Sequence, residues 1–171
     1  MCMPHWRIRE ATAADDTAIG DLLVKVFVDA YARKLPEVVV TERRKAELRD
    51  VATKRKFARV WVAEVAGQIA GTVSLWPPGA QGSEAWLEGA ADLRHFGISQ
   101  AHRSPELTDA LLSEAENAAR QAKASAVCLH VRRGAIGVRR LYEARQYRPD
   151  PSGDIDALPE VYLEALALRL T

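Results

Sequence analysis

The apolar positions of the chain switch between a period of two and a helical period of about 3.6, and the switches mark its elements. "HWRIRE" alternates and predicts a short first strand. In "ATAADDTAIGDLLVKVFVDAY", Ile19, Leu22, Leu23, Val26 and Ala30 recur at helical spacing behind Thr12 and Asp15, which stand at capping-box distance. A second helix is expected over much of Val40–Ala58, after Pro36. "RVWVAEVAGQIAGTVSLW" predicts two strands around a tight Ala66-Gly67 turn, and "PPGAQGSEAW" a loop. In the next strand, "ADLRHFGIS", unbroken alternation places Leu93 and His95 on one face and Arg94, Phe96 and Ile98 on the other. "PELTDALLSEAENAARQAKA" is an amphipathic helix with Leu107, Leu111, Leu112, Ala115 and Ala119 as its inner stripe. "AVCLHVR" is apolar throughout, as a strand buried on both faces should be. "GAIGVRRLYEAR" predicts a short helix, "QYRP" a short strand, "PDPSGDIDALPE" an acidic turn-rich loop and "VYLEALALRL" a closing strand. The order is β-α-α-β-β-β-α-β-α-β-β, a mixed α/β arrangement without a linker and therefore one domain over residues 1–171.

Composition adds limits. A length of 171 residues suffices for one domain with a substantial core. Hydrophobic residues at 48% and charged residues at 27% are those of an ordinary soluble protein. A net charge of +1 removes any global reason to expect a nucleic-acid or membrane partner. The basic run "TERRKAELRDVATKRKFAR" reads foremost as a solvated helix face, with a polyanion or substrate contact as the competing reading. Cys2 and Cys128 lack metal-ligand spacing, no metal site is expected, and Cys128 belongs to a buried strand. With no apolar leader and no membrane-length run, the expected setting is reducing and cytoplasmic.

Three stretches carry a resemblance. "LRHFGISQAHRSPELTDALL" looks like the strand, loop and helix with which GNAT acetyltransferases hold the coenzyme A pyrophosphate through Arg/Gln-x-x-Gly-x-Gly/Ala. "VRRGAIGVRRLYEARQYRP" is similar to their second donor motif, and "RVWVAEVAGQIAGTVSL" to their hairpin. The resemblance covers essentially the whole chain and implies a mixed, mostly antiparallel central sheet flanked by helices. It implies acetyl-CoA as acyl-donor substrate and an amine of a small molecule or peptide as acceptor, and it admits a homodimer.

The same resemblance assigns site residues. Tyr142 in the Leu-Tyr-Glu of "RRLYEAR" matches the general acid of many members, and Asp92 falls where some carry a carboxylate base. A phenol of pKa about 10 can protonate a developing thiolate of about 8.5, and a placed acid is worth about 10²–10⁴-fold. Asp92, shorter than glutamate, would work through water; the competing reading pairs it with Arg94. His95 and Glu88 are weaker candidates. Phe96, Gly97 and Ile98 would present backbone groups to the donor, with Gly97 suited to a bulge or a close backbone approach. Arg103, Ser104, Glu106, Leu107, Thr108, Asp109 and Ala135 occupy the remaining donor positions.

The donor loop departs from its pattern. Glu106 and Thr108 replace glycines, Ala135 stands for the second motif's Asn, and Gln146-Tyr147 for its Gly-Phe. Ser104 is a good N-cap, Pro105 suits the first helical position, and Glu106 complements the dipole, so "SPEL" also starts a helix that needs no ligand. A carboxylate aimed at the phosphates would cost on the order of 3 kcal/mol per like-charge pair near 5 Å. The alternative function is accordingly a GNAT-like binding or regulatory module with weak or no coenzyme A binding. Asp150, Asp154, Asp156 and Glu160 in the acidic loop would favour a cationic acceptor if they face it, and otherwise form a solvated loop.

Overall fold

The computed structural model describes residues 5–34 and 39–170. Cys2 and Pro36 lie outside them. Strand β1 (Arg7–Glu10) leads through a 3-10 turn into helix α1 (Asp16–Lys34). The Asp15 carboxylate accepts the Thr12 N–H at 2.8 Å and pairs with Arg9 at 2.7 Å, so one side chain starts the helix and ties it to the strand.

The predicted second helix is two helices, α2 (Glu42–Arg49) and α3 (Val51–Phe57). Asp50, at φ −80° and ψ 59°, leaves helical geometry, and its carboxylate then accepts the Thr53 N–H and caps α3. The break redirects the second half of the basic run toward the sheet.

Strands β2 (Arg59–Val65) and β3 (Gln68–Trp76) form the expected hairpin. Ala66 and Gly67 both take positive φ, 49° and 79°, as a two-residue turn matched to strand twist requires. Then follow β4 (Ala91–Ile98), α4 (Pro105–Gln121), β5 (Ala126–Arg132), α5 (Ile136–Ala144), β6 (Arg148–Pro149), β7 (Ile155–Ala157) and β8 (Val161–Arg169). The loop "PDPSGDIDALPE" thus contains β7, which pairs antiparallel with β8. β7 has only three residues, too few to show as a period.

The sheet order is β1-β2-β3-β4-β5-β8-β6, with β7 beside β8, and β4–β5 is its parallel pair. Alternate residues feed two cores. Trp61 and Ala63 join the α4 stripe of Leu107, Leu111, Leu112, Ala115 and Ala119, while Val60 and Val62 meet Ile19, Leu23, Leu48 and Val51. Among the described residues no helix is long and apolar enough to cross a membrane.

Two irregularities of β4 shape the middle of the sheet. Thr72 pairs with Gly97 but Ser74 with Arg94, so Val73 faces both His95 and Phe96 across a bulge. His95 takes φ 55° there. The expected alternation is therefore corrected: Leu93 joins Phe96 and Ile98 in the α4-side core, while His95 turns to Lys54 of α3. The β4–β5 ladder also stops after Ala91–Val127 and Asp92–Cys128, and the two strands part beyond it.

Candidate active site

A cavity of about 360 Å³ occupies the gap where β4 and β5 part. Phe96, Ile98, Thr108, Ala135, Val138 and Tyr142 line it toward α4 and α5, and Phe27, Tyr31, Arg44, Arg94 and His95 toward α1 and α2. Gly97 is on the wall with α1 close behind: a Cβ there would lie 3.4 Å from Val26. Arg103 and Arg132 add positive charge. The sequence-derived set is thus brought together in part: Tyr142, Phe96, Gly97, Ile98, Arg103, Thr108 and Ala135 share one cavity, and Asp92, Ser104, Glu106, Leu107 and Asp109 are not on its wall.

The five residues off the wall have other occupations. Ser104 Oγ accepts the Leu107 N–H at 3.1 Å and its carbonyl the Thr108 N–H at 3.0 Å, so the loop caps its own helix. The Leu107 side chain is buried in the α4-side core. Asp109 pairs with Arg145 at 2.7 Å. Glu106 is exposed to solvent. It is off the cavity wall, and an exposed carboxylate is screened by solvent and salt. Replacing Glu106 by glycine is expected to change coenzyme A affinity less than about threefold, since screened exposed charges contribute little; tightening of tenfold or more in a calorimetric titration would show that the carboxylate does face the phosphates.

Tyr142 comes to the wall on α5, 6% exposed, its ring meeting the edge of Tyr147 at 5.4 Å. Burial raises its pKa well above 10, the Glu116 carboxylate adds to the rise, and Arg145 opposes it. The phenol stays protonated at neutral pH, as a proton donor must.

Asp92 is off the cavity wall and engaged by its neighbours. It is 0% exposed, with Oδ2 2.9 Å from Arg94 Nε and accepting the Glu84 N–H at 2.8 Å. Burial raises its pKa against the opposing pull of Arg94 and that N–H. This is the competing reading of the sequence. Its effect is to hold Arg94, whose guanidinium lies 3.7 Å from the Trp76 ring centroid and 3.3 Å from Glu84.

The acidic loop is also corrected. Asp150 accepts the Trp86 indole N–H, Asp154 accepts the Tyr162 hydroxyl and the Ala165 N–H, and Asp156 accepts the Leu158 N–H. None of these, nor Glu160, lines the cavity, so the loop gives no basis for preferring a cationic acceptor. Glu84, Tyr31 and His130, which sequence reasoning missed, line the cavity instead, with Arg44 of the basic run whose competing reading is a substrate contact. His130 Nε2 donates to the Gly153 carbonyl at 2.8 Å, leaving Nδ1 buried and 4.0 Å from Glu84. Nothing local marks Glu84, Tyr31 and His130, because they converge from three separate segments.

The site is thus a sheet opened between two parallel strands, with Thr108 of the first turn of α4 and the buried Tyr142 phenol on its wall. The acetyltransferase (GNAT) family model matches residues 19–147, and the chain belongs to that family. Among solved structures, the GNAT-family acetyltransferase of Staphylococcus aureus is 13% identical, covering 97% of this chain and 99% of its own, with a TM-score of 0.75. The PaiA N-acetyltransferase of Thermoplasma acidophilum in complex with coenzyme A gives 14% identity, coverage of 94% and 97%, and a TM-score of 0.68. A GNAT-family acetyltransferase of Elizabethkingia anophelis with acetyl-CoA bound gives 14%, 98% and 100%, and 0.65. No curated protein matches the sequence.

Proposed function

We propose that the chain is an acetyl-CoA-dependent N-acetyltransferase that passes an acetyl group directly to an amine of a small molecule or peptide. The observation that carries this reading is the cavity between the parted β4 and β5 with Tyr142 on its wall. Acetyl-CoA as donor is supported by two of the structural relatives, one with acetyl-CoA and one with coenzyme A bound. It supplies an activated acyl thioester.

The residues fit such a donor. Beyond Asp92 the edge of β4 toward β5 has no ladder partner, which frees backbone groups around Phe96 and Ile98 for an extended ligand. Arg103 offers charge at the start of α4, where the helix dipole also favours an anion, and the exposed Glu106 does not oppose it. Ala135 and Val138 give the cleft an apolar wall on the α5 side. Tyr142 holds its proton at neutral pH and stands on the wall where a departing thiolate is formed; the transfer is uphill, because the thiolate is the weaker base, and it is completed as the carbon–sulfur bond breaks.

The reading as a binding or regulatory module draws on one observation, the self-capped loop with Pro105 contributing no N–H. Donor binding measured by calorimetry separates the two. The transferase requires it at millimolar donor or below, and the module does not.

A further inference from the structure

Lys54 is the least expected side chain near the cavity. It stands on α3 at 7% exposure, and among the described residues no carboxylate forms an ion pair with it. Its Nζ lies 3.1 Å from Nδ1 of His95. His95 is the bulge residue of β4, held at φ 55° in the left-handed region that few residues other than glycine adopt, and it is among the residues that line the cavity. The Trp76 ring meets it edge-on at 5.9 Å. With Nδ1 engaged by Lys54, Nε2 is the ring nitrogen left for a ligand. A lysine buried without a counter-charge is costly, and packing alone would be better served there by methionine or leucine.

We propose that His95 and Lys54 form a proton relay for the acceptor amine, His95 Nε2 receiving the proton while Nδ1 passes its own to Lys54 Nζ. The inference rests on the reading of the cavity as the site of acetyl transfer. As the amine nitrogen bonds to the acetyl carbon and the carbon–sulfur bond breaks, the amine proton goes to Nε2. The Nδ1 proton goes to Nζ, and the Tyr142 hydroxyl proton goes to the sulfur. Lys54 becomes an ammonium, His95 stays neutral in its other tautomer, and the tyrosinate is left. After release, water returns a proton to Tyr142 and Lys54 loses one through His95, so the cycle balances. His95 is the catalytic residue, touching the amine; Lys54 acts through it.

The surroundings suit the pair. Burial first, then Arg94 of β4 and Arg44 of α2, bring the Lys54 amine down to about 7 against the pull of Asp16 on α1, which is itself tied to Arg55 at 2.6 Å. Burial, Lys54, Arg44 and Arg94 keep His95 well below the usual imidazole range, hence neutral. Above about pH 7 Lys54 is the empty end of the relay.

The test pairs kinetics with spectroscopy on the full chain. With acetyl-CoA and a panel of primary amines, kcat/KM of the unaltered protein should rise with pH through about 7. Lys54→Met should lose that limb and about 10²-fold in kcat while donor affinity stays within about twofold, as expected for removal of a proton acceptor. Lys54→Arg keeps a charged donor to Nδ1 but cannot release its proton, and should fail equally. An unchanged pH profile in Lys54→Met, or activity restored by Lys54→Arg, would overturn the relay with donor binding intact. Nuclear magnetic resonance titration of the Lys54 Cε and the His95 ring nitrogens needs no acceptor. A lysine titrating near 10 would overturn the relay. Failure to bind coenzyme A would overturn the transferase reading instead, and the relay's use with it.

Discussion

Replacing Tyr142 by phenylalanine is expected to lower turnover by about 10²–10⁴-fold, the worth of a placed general acid, and to leave coenzyme A affinity within about twofold. The substitution removes one oxygen from a buried ring whose packing on Tyr147 it keeps. Burial and the Glu116 carboxylate hold the phenol in its protonated form, so what is lost is a proton donor and not a base. The effect should accordingly fall on kcat with little change in donor binding. Steady-state kinetics beside calorimetry measure both. Equal turnover would remove Tyr142 from the chemistry, and a collapse of donor affinity would make it a binding residue.

Replacing Glu116 by alanine is expected to cost about 3 kcal/mol, the lower end for breaking a buried ion pair, and so about 6–12 °C in melting temperature for a chain of this size. Glu116 is buried on α4 and accepts from Arg145 Nε at 2.9 Å, Arg145 Nη2 at 2.7 Å and the Tyr147 hydroxyl at 3.2 Å. It is the junction of α4, the end of α5 and the residue leading into β6. Without it Arg145 keeps Asp109 and Ser113, but the hydroxyl of the fully buried Tyr147 loses its acceptor. Thermal unfolding followed by circular dichroism is the measurement. A shift below about 2 °C would show that water replaces the carboxylate; Glu116→Gln, which keeps an acceptor for Tyr147, should fall between.

Those two residues differ in how far the sequence discloses them. Tyr142 is legible because Leu-Tyr-Glu recurs at a set place in a family motif. Glu116 sits on the helix with the clearest stripe, yet its burial follows from Arg145 folding over it, which no period records. The same division runs through the fold. Strands and helices whose residues alternate against one core show their period, and "SPEL" announces the start of α4 correctly. A bulge adds one residue to a strand without changing its composition, so the facing of Leu93 and His95 cannot be read from it. Lys54 reads as part of a solvated face because its neighbours Arg55 and Lys56 are basic; the break at Asp50 turns it inward. Asp92 and the acidic loop mislead for a related reason. Whether a carboxylate meets ligand or backbone is decided by where strands part and which N–H groups come near.

The donor loop "AHRSPELTDALL" combines both kinds of signal. Its residues cap α4 without help, and its one disruptive carboxylate is in solvent. Arg103 stays on the cavity wall while Glu106 does not, so the carboxylate that departs from the family pattern leaves the cavity itself clear.

Calorimetric titration of the full chain with coenzyme A and with acetyl-CoA decides whether the cavity is a donor site. One-site binding of both is expected at or below millimolar concentration, diminished when Arg103 is replaced by alanine and retained when Glu106 is replaced by glycine. No binding of either at millimolar donor would contradict the transferase reading and leave a GNAT fold without its donor.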